Sequence, residues 1–370
     1  MKATPLTLEA ITAGTIVVNN PKDGMQYSKN GGAKTAITDN PTEIAVAAGD
    51  KVAFYGNGTS ISTYSDGTTS TKIGGDGDGF KCKVYGNIMS LVDETGYEGA
   101  TKLTGEYAFR DIFNGNTKLT DISDLQLPAT TLANYCYQNM FQGCTGLTTL
   151  PEKLLPATTL TDYCYQSMFS GCKGLITLPE KLLPATKMKL SCYASMFLGC
   201  TGLTTVPEKL LPAETLAGSC YQSMFNACAS LTTAPALPAT NLANQCYMQM
   251  FSSCKGLTTA PQLPAPTLAQ GCYSSMFLGC TSLTTTPKLP AETLVKECYD
   301  WMFYQCTGLN SVTCLATDIS ADNCTASWLS GVSATGTFTT PSTTLWGTGS
   351  SQIPGGWTRK NPDGTDYVAP

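Results

Sequence analysis

Apolar and polar positions alternate in pairs along the middle of the chain. The stretch Cys164–Cys172 reads CYQSMFSGC, and six other stretches repeat this pattern closely. The letters C, M and C stand four residues apart, Y and F follow the first two, and the remaining letters are polar or glycine. Rows at i, i+4 and i+8 form one broad apolar stripe on a helix. The pattern therefore predicts a short amphipathic helix of two to three turns in each unit.

Each predicted helix is followed by GLITLP or a variant such as GLTTLP or GLTTAP. A short run of β-formers between glycine and proline is typical of a strand. A second extended piece, LPATTL or LPAETL, leads into the next helix. One unit cannot bury its own apolar stripe, so neighbouring units are expected to stack.

The repeat has a measurable period. Its first cysteine recurs in steps of 28, 28, 28, 26, 26 and 26 residues, and the shortening falls where PEKLLPA becomes PALPA or an equivalent. Degenerate units flank the array around Ala108 and Cys324. Stacked repeats need such ends to cover an open apolar face. The first cysteines of the full repeats are Cys136, Cys164, Cys192, Cys220, Cys246, Cys272 and Cys298.

The two ends of the chain do not follow the repeat pattern. Residues 1–93 carry clustered β-formers separated by NNPKDG, KNGG and DNPT, which are turn sequences, and we expect a β-sandwich-like domain there. Residues 94–332 would hold seven full repeats and two degenerate end units, and residues 333–370 a small C-terminal β cap. The predicted fold class is thus an α/β repeat solenoid between two β regions.

Composition removes several function classes. The formal net charge is −5 and only 13% of residues are charged, so a basic footprint for nucleic acid is missing. No apolar run is long enough to span a membrane, so membrane insertion is not expected. The first twenty residues contain one lysine and no sustained apolar core, so the chain as given is not expected to start with a secretory signal.

Histidine is absent, which removes Ser-His-Asp triads, Cys-His dyads and histidine-ligated zinc. Acidic residues are sparse within the repeats and vary between units. We therefore expect no enzyme activity and no cofactor.

The paired cysteines have three interpretations: a disulfide framework, a metal site or a packed core. Two cysteines eight residues apart on one helix lie about 12 Å apart, whereas a disulfide needs Cα atoms within roughly 7 Å. Zinc ligands usually stand two to four residues apart, and no C-x-x-C occurs. The core interpretation is favoured, because cysteine behaves as a small hydrophobe. Disulfides between adjacent repeats stay open, although the total of 17 is odd.

A row of threonines marks the candidate binding face. The fourth residue of the predicted strand is apolar in five of six repeats, so alternation should turn the third residue outward. Asp121 and Ser311 take the same place in the end units. The row has three interpretations: an array that favours strand pairing, a platform for a protein or glycan, or an ice-binding surface. Its members are Thr149, Thr177, Thr205, Thr233, Thr259 and Thr285.

GGDGDGF offers a weak calcium candidate through Asp76 and Asp78. The EF-hand pattern needs further ligands and a distal glutamate, and neither is correctly spaced. A plain surface turn is the simpler interpretation, so no metal site is predicted.

The recurring unit F-x-x-C-x-x-L-x-x-[LVA]-x-P, as in Phe169–Pro179, resembles the BspA-like leucine-rich repeat. The match covers roughly residues 107–332. The resemblance implies a curved solenoid, an extracellular location at the cell surface, and adhesion to a protein or glycan ligand on a host or neighbouring cell. Two alternatives remain: a structural or receptor-binding component of a bacteriophage virion, and an enzyme subunit whose active site the sequence does not show.

Overall fold

A computed structural model describes residues 3–62, 69–343 and 346–367. The chain divides into two compact units, Met1–Pro184 and Ala185–Pro370. The described residues include two short 3₁₀ helices, Ile88–Leu91 and Tyr97–Gly99. The strands are Thr7–Ala10 (β1), Gly14–Asn19 (β2), Gln26–Lys29 (β3), Thr35–Ala36 (β4), Thr42–Val46 (β5), Lys51–Tyr55 (β6), Lys72–Asp76 (β7), Cys82–Asn87 (β8), Leu119–Asp121 (β9), Leu125–Gln126 (β10), Thr285–Leu289 (β11), Ser311–Cys314 (β12), Gly336–Thr339 (β13) and Trp357–Lys360 (β14).

The first unit begins with two sheets. One has the antiparallel order β5-β2-β7, and the other has the order β10-β8-β1-β6-β3-β4. Strand β2 buries Ile16 and Val18, and β6 buries Val52 and Phe54, which is the period-two burial expected of half-buried strands. Strands β9 and β10 come from the first degenerate repeat and pair in parallel with β8. The repeats therefore start by extending the edge of the N-terminal sheet.

The predicted helices are wrong. Residues 135–144 form a segment that we call a turn row. Its backbone N–H groups donate to the carbonyl three residues back, as from Gln138 to Tyr135 at 3.1 Å and from Gln142 to Asn139 at 3.0 Å. An α-helix bonds four residues back and keeps φ near −63°. Here φ is positive at every fourth residue: 58° at Tyr135, 56° at Asn139 and 72° at Gly143. The segment is a succession of turns, and equivalent rows follow in the later repeats.

Hydrogen bonding explains why turns replace a helix. The N–H groups between those that bond within the row donate to the next row: Tyr137 to Cys164 at 2.9 Å, and Phe141 to Met168 at 2.8 Å. The second unit repeats this pattern, for example from Phe225 to Met250 at 2.9 Å. A helix would satisfy its N–H groups internally. A turn row keeps half of them for its neighbour, so stacking supplies the missing partners.

The interior of each unit contains columns of identical side chains. Phe141 stacks on Phe113 and Phe169 at 5.3 and 5.4 Å between ring centroids, within the first unit. In the second unit the column runs from Phe197 to Phe303, with spacings of 5.6 to 5.7 Å. A parallel column of tyrosines lies beside it in each unit. These offset-stacked pairs add to the stabilisation from buried apolar area.

The packed-core interpretation of the cysteines is confirmed. Each of the seventeen is a thiol, and each is buried. The second cysteine of a pair donates its S–H to the phenylalanine carbonyl of the preceding row, as from Cys172 to Phe141 and from Cys254 to Phe225, both at 3.1 Å. A residue as small as cysteine thus fills the column and also supplies a weak hydrogen bond between rows.

The C-terminal part of the second unit forms a parallel sheet with the order β11-β12-β13-β14. Trp328 stacks on Tyr299 at 6.1 Å and on Trp346 at 5.5 Å, and it ends the tyrosine column. Trp357 is also buried, and its indole N–H donates to Ser333 at 2.8 Å.

The α/β fold class is therefore wrong for the residues that the structure describes. They contain no α-helix, and most of the predicted GLTTLP strands are irregular segments that form no regular ladder. Among the full repeats, only the segments that follow the last two turn rows lie in strands, β11 and β12. Each unit instead combines a β-sheet region with stacked rows of turns. The domain boundaries proposed from the sequence stay a prediction.

Candidate ligand-binding surface

The six predicted threonines are all exposed, and each follows a buried leucine such as Leu147 or Leu203 by two residues. The residue before each of them is exposed as well. One rung therefore presents two side chains rather than one, for example Thr204 and Thr205. The preceding residue is threonine in five of these six rungs, and in the sixth it is Ile176, which is 52% exposed. We call the six predicted positions the threonine row. That the row binds a ligand stays a prediction.

In the second unit the threonine row continues into the C-terminal sheet. Strand register places Thr285 beside Ser311, Ser311 beside Thr337, and Thr337 beside Thr358. Sequence reasoning found Ser311 but missed Thr337 and Thr358. Steps of 26 and 21 residues along the chain lead to them, but the degenerate sequence after residue 332 hides the repeat.

A second row of polar side chains crosses the same four strands. Its residue on β11 lies three positions after Thr285, and its residues on β12, β13 and β14 lie two positions after the members of the first row. Lys288, Thr313, Thr339 and Lys360 are neighbours in that order. They line a groove of about 400 Å³ together with Asn361. Lys360 pairs with Asp366 at 2.6 Å, and this hydrogen bond lowers the pKa of Asp366. The groove thus combines hydroxyl groups with an ammonium group at each side.

One polar atom at this groove lacks a partner. The Oδ1 of Asn361 is buried and accepts no hydrogen bond from the residues that the structure describes. Its amide nitrogen donates to Thr365 at 3.0 Å and to the Asp366 carbonyl at 3.2 Å. Buried acceptors are rarely left unpaired, so Asn361 offers an acceptor to a ligand or to water.

The aspartates Asp76 and Asp78 are exposed at the end of β7 and in the turn after it. Asp76 accepts a hydrogen bond from the Gly77 N–H at 2.7 Å, as in an ordinary turn. Within the described ranges, no cluster of three or more histidine, cysteine, aspartate or glutamate residues is arranged to hold a metal ion.

Exposed aromatic residues on the turn rows were not predicted. In the first unit, Tyr107, Tyr135 and Tyr163 stack at 4.7 Å, each half-buried and each with a φ of 57° or 58°. In the second unit, Trp301 is 39% exposed and contacts Tyr304. The available signal was a departure from the repeat, because the other rows carry small or polar residues at most of these places.

Comparison with known proteins gives little. No family model matches the chain, and no curated protein matches it. A leucine-rich cell surface protein from Faecalibacterium prausnitzii is a similar solved structure, with 14% identity and a TM-score of 0.27 over 62% of this chain and 74% of that one. At this TM-score, the likeness carries no argument about fold or function. In the described part of the chain, no helix is long and apolar enough to cross a membrane.

Proposed function

We propose that the chain is a non-enzymatic binding protein that presents the threonine row and its continuation to a protein or glycan ligand. The row of hydroxyl groups carries the proposal: its six threonines are exposed, and in its continuation Thr358 is exposed while Ser311 and Thr337 are half-buried. In the second unit it runs through Thr205, Thr233, Thr259, Thr285, Ser311, Thr337 and Thr358. Placement at an extracellular surface belongs to the same proposal and rests on the resemblance of the repeat to the BspA-like unit.

The chemistry of the row favours an extended polar ligand. Hydroxyl groups donate and accept, so they can pair with sugar hydroxyls or with a peptide backbone. Adjacent strands stand about 4.8 Å apart, and each hydroxyl contributes only about 0.5–1.5 kcal/mol net. Useful affinity then requires several rungs at once. A ligand that follows the row over several rungs fits this requirement better than a compact one.

A triple substitution tests the proposal. Thr205→Lys, Thr233→Lys and Thr259→Lys together place bulky like charges on consecutive rungs, while a single change at Thr205 should be nearly silent. The probes are a printed panel of polysaccharides and cultured epithelial cells. We expect the unsubstituted chain to bind at least one of them and the triple variant to lose that binding.

The matched control adds the same charge to the turn rows through Gln222→Lys, Gln245→Lys and Gln249→Lys, positions that are exposed or half-buried. Thermal unfolding of both variants checks that the core is intact. Loss of binding in the control, with binding kept in the threonine variant, would move the site to the turn rows. An unsubstituted chain that binds neither probe would contradict the proposal.

A further inference from the structure

Trp301 is an exposed indole at a position where the other full repeats carry a smaller polar residue. Its exposed fraction is 39%, whereas the other three tryptophans are buried. Its φ is 54°, in the left-handed region that bulky residues avoid. The equivalent residues of the other full repeats have the same φ, 53° to 57°, so this backbone conformation belongs to the turn row, and the exposed indole is what sets Trp301 apart. Its equivalents in the other repeats are Asn139, Ser167, Ser195, Ser223, Gln249 and Ser275.

Tyr304 enlarges the aromatic surface. Its ring centroid lies 4.4 Å from that of Trp301, with 37° between the ring planes. The rows on either side present serine at the tryptophan position. Ser275 is the equivalent residue in the preceding row, and its backbone N–H donates to the Asp300 carbonyl. Ser327 is the equivalent residue in the following row, where the Ala326 carbonyl accepts from the Trp301 N–H. Trp301 therefore stands between two serines, while Leu278 takes the place of Tyr304 in the preceding row.

Asp300 contributes a carboxylate directly before Trp301 in the chain, and none of its six equivalents is acidic. It is half-buried, and among the described residues its carboxylate accepts no hydrogen bond and pairs with no cation. Burial, and then the charge of Glu297, raise the pKa of Asp300 to about 6. Glu297 itself has partners: Lys296 at 3.7 Å and the Gln270 amide at 3.3 Å. The uncompensated carboxylate is thus Asp300.

We infer that Asp300, Trp301 and Tyr304 form a binding site for an organic cation, a guanidinium or alkylammonium group. A cation is attracted to the faces of indole and phenol rings, and the carboxylate of the residue next to Trp301 in the chain adds charge pairing. A neutral sugar can stack on the indole, but it leaves the carboxylate uncompensated. An anion is repelled by Asp300 and Glu297. The site lies on the turn rows, so it does not rest on the proposed role of the threonine row.

Tryptophan fluorescence measures the binding directly. Methylguanidinium and tetramethylammonium are titrated into the intact chain, with sodium chloride at equal ionic strength as the blank. Trp301 is the one exposed indole of the four. A saturable change that is absent from the blank is therefore expected to come from this residue. A parallel titration with glucose tests the sugar alternative.

Two variants replace residues of this site with those found at the equivalent positions of the preceding row. Trp301→Ser and Asp300→Ser install the residues found at Ser275 and Ser274 in the preceding row, so both should fold. We expect each to weaken cation binding, measured by calorimetry, on the order of tenfold. Ser275→Trp places an indole next to Ser274 instead of an acid, and Trp301→Ser combined with this change should not restore binding.

The outcomes separate cleanly. Equal cation affinity in the intact chain, Trp301→Ser and Asp300→Ser overturns the inference, as does saturable binding of glucose without binding of either cation. Comparison of methylguanidinium with the peptide Gly-Arg-Gly identifies the source of the cation. Tighter binding of the peptide indicates a protein partner, and equal binding indicates a small free cation; both results support the site.

Discussion

Replacing Phe225 with alanine is expected to lower the free energy of unfolding by about 3–5 kcal/mol. Phe225 is fully buried, and its ring stacks on Phe197 at 5.6 Å and on Phe251 at 5.7 Å. The substitution removes a partner from both faces of the column at once, and the backbone of the turn row cannot move inward without breaking its hydrogen bonds to the next row. Urea denaturation followed by circular dichroism measures the loss.

Thr233→Ala is the matched control, since Thr233 is exposed in the same repeat and should change stability by no more than about 0.5 kcal/mol. Because each row bonds to its neighbour, hydrogen exchange in Phe225→Ala should also speed up in the adjacent rows, 191–200 and 245–254. A loss below about 1 kcal/mol, or faster exchange confined to the row 219–228, would show that the column is not a continuous packing unit.

The sequence was sufficient to locate the repeats and their core. The period of 28 and then 26 residues, the atypical end units and the burial of cysteine, tyrosine, methionine and phenylalanine follow from apolar patterning alone. The local backbone did not follow. In each row a buried pair of residues recurs every four residues. An α-helix, with 3.6 residues per turn, matches this period only approximately, whereas a row of turns with one left-handed residue in four matches it fully.

The residues with positive φ explain why the sequence did not predict turns in place of helices. Glycine at Gly143 and Gly171 is a clear signal for positive φ, but Ser167 and Gln249 adopt positive φ as well and carry no such signal. These residues stay in that conformation because the next row accepts every second N–H group. The stabilising partner is 25 or 27 residues away in sequence, so local propensity cannot reveal it.

The candidate surfaces show the same division. Exposure of Thr205 and Thr233 follows from the burial of Leu203 and Leu231 two residues earlier, and strand-like alternation was a fair guide even where no regular strand forms. Thr337 and Thr358 required the sheet register. Trp301 was missed for another reason: the repeat pattern predicts the residues that the units share, whereas Trp301 replaces the smaller polar residue of the other full repeats.

Thiol chemistry provides the second large effect. At pH 8, we expect a thiol reagent such as iodoacetamide to label the native chain on the order of a thousandfold more slowly than an exposed cysteine. Burial raises the pKa of Cys228, Cys246 and Cys306 to about 12, against an ordinary value near 8.5. Because only the thiolate reacts, the reactive fraction falls by roughly the same factor, even before access is considered.

Denaturation distinguishes buried thiols from disulfides. In guanidinium chloride without reductant, all seventeen cysteines should react, and prior reduction should not raise that number. A count that rises only after reduction would show that cysteines of adjacent rows pair. The Phe225→Ala variant joins this measurement to the first one. Cys254 donates its S–H to the carbonyl of residue 225, and Cys220 and Cys228 lie in the same row as that residue. If the column is one packing unit, these three thiols should be labelled faster in the variant than in the unsubstituted chain, while Cys82 in the first unit keeps its slow rate. Uniformly fast labelling of the unsubstituted native chain would contradict the stacked core itself.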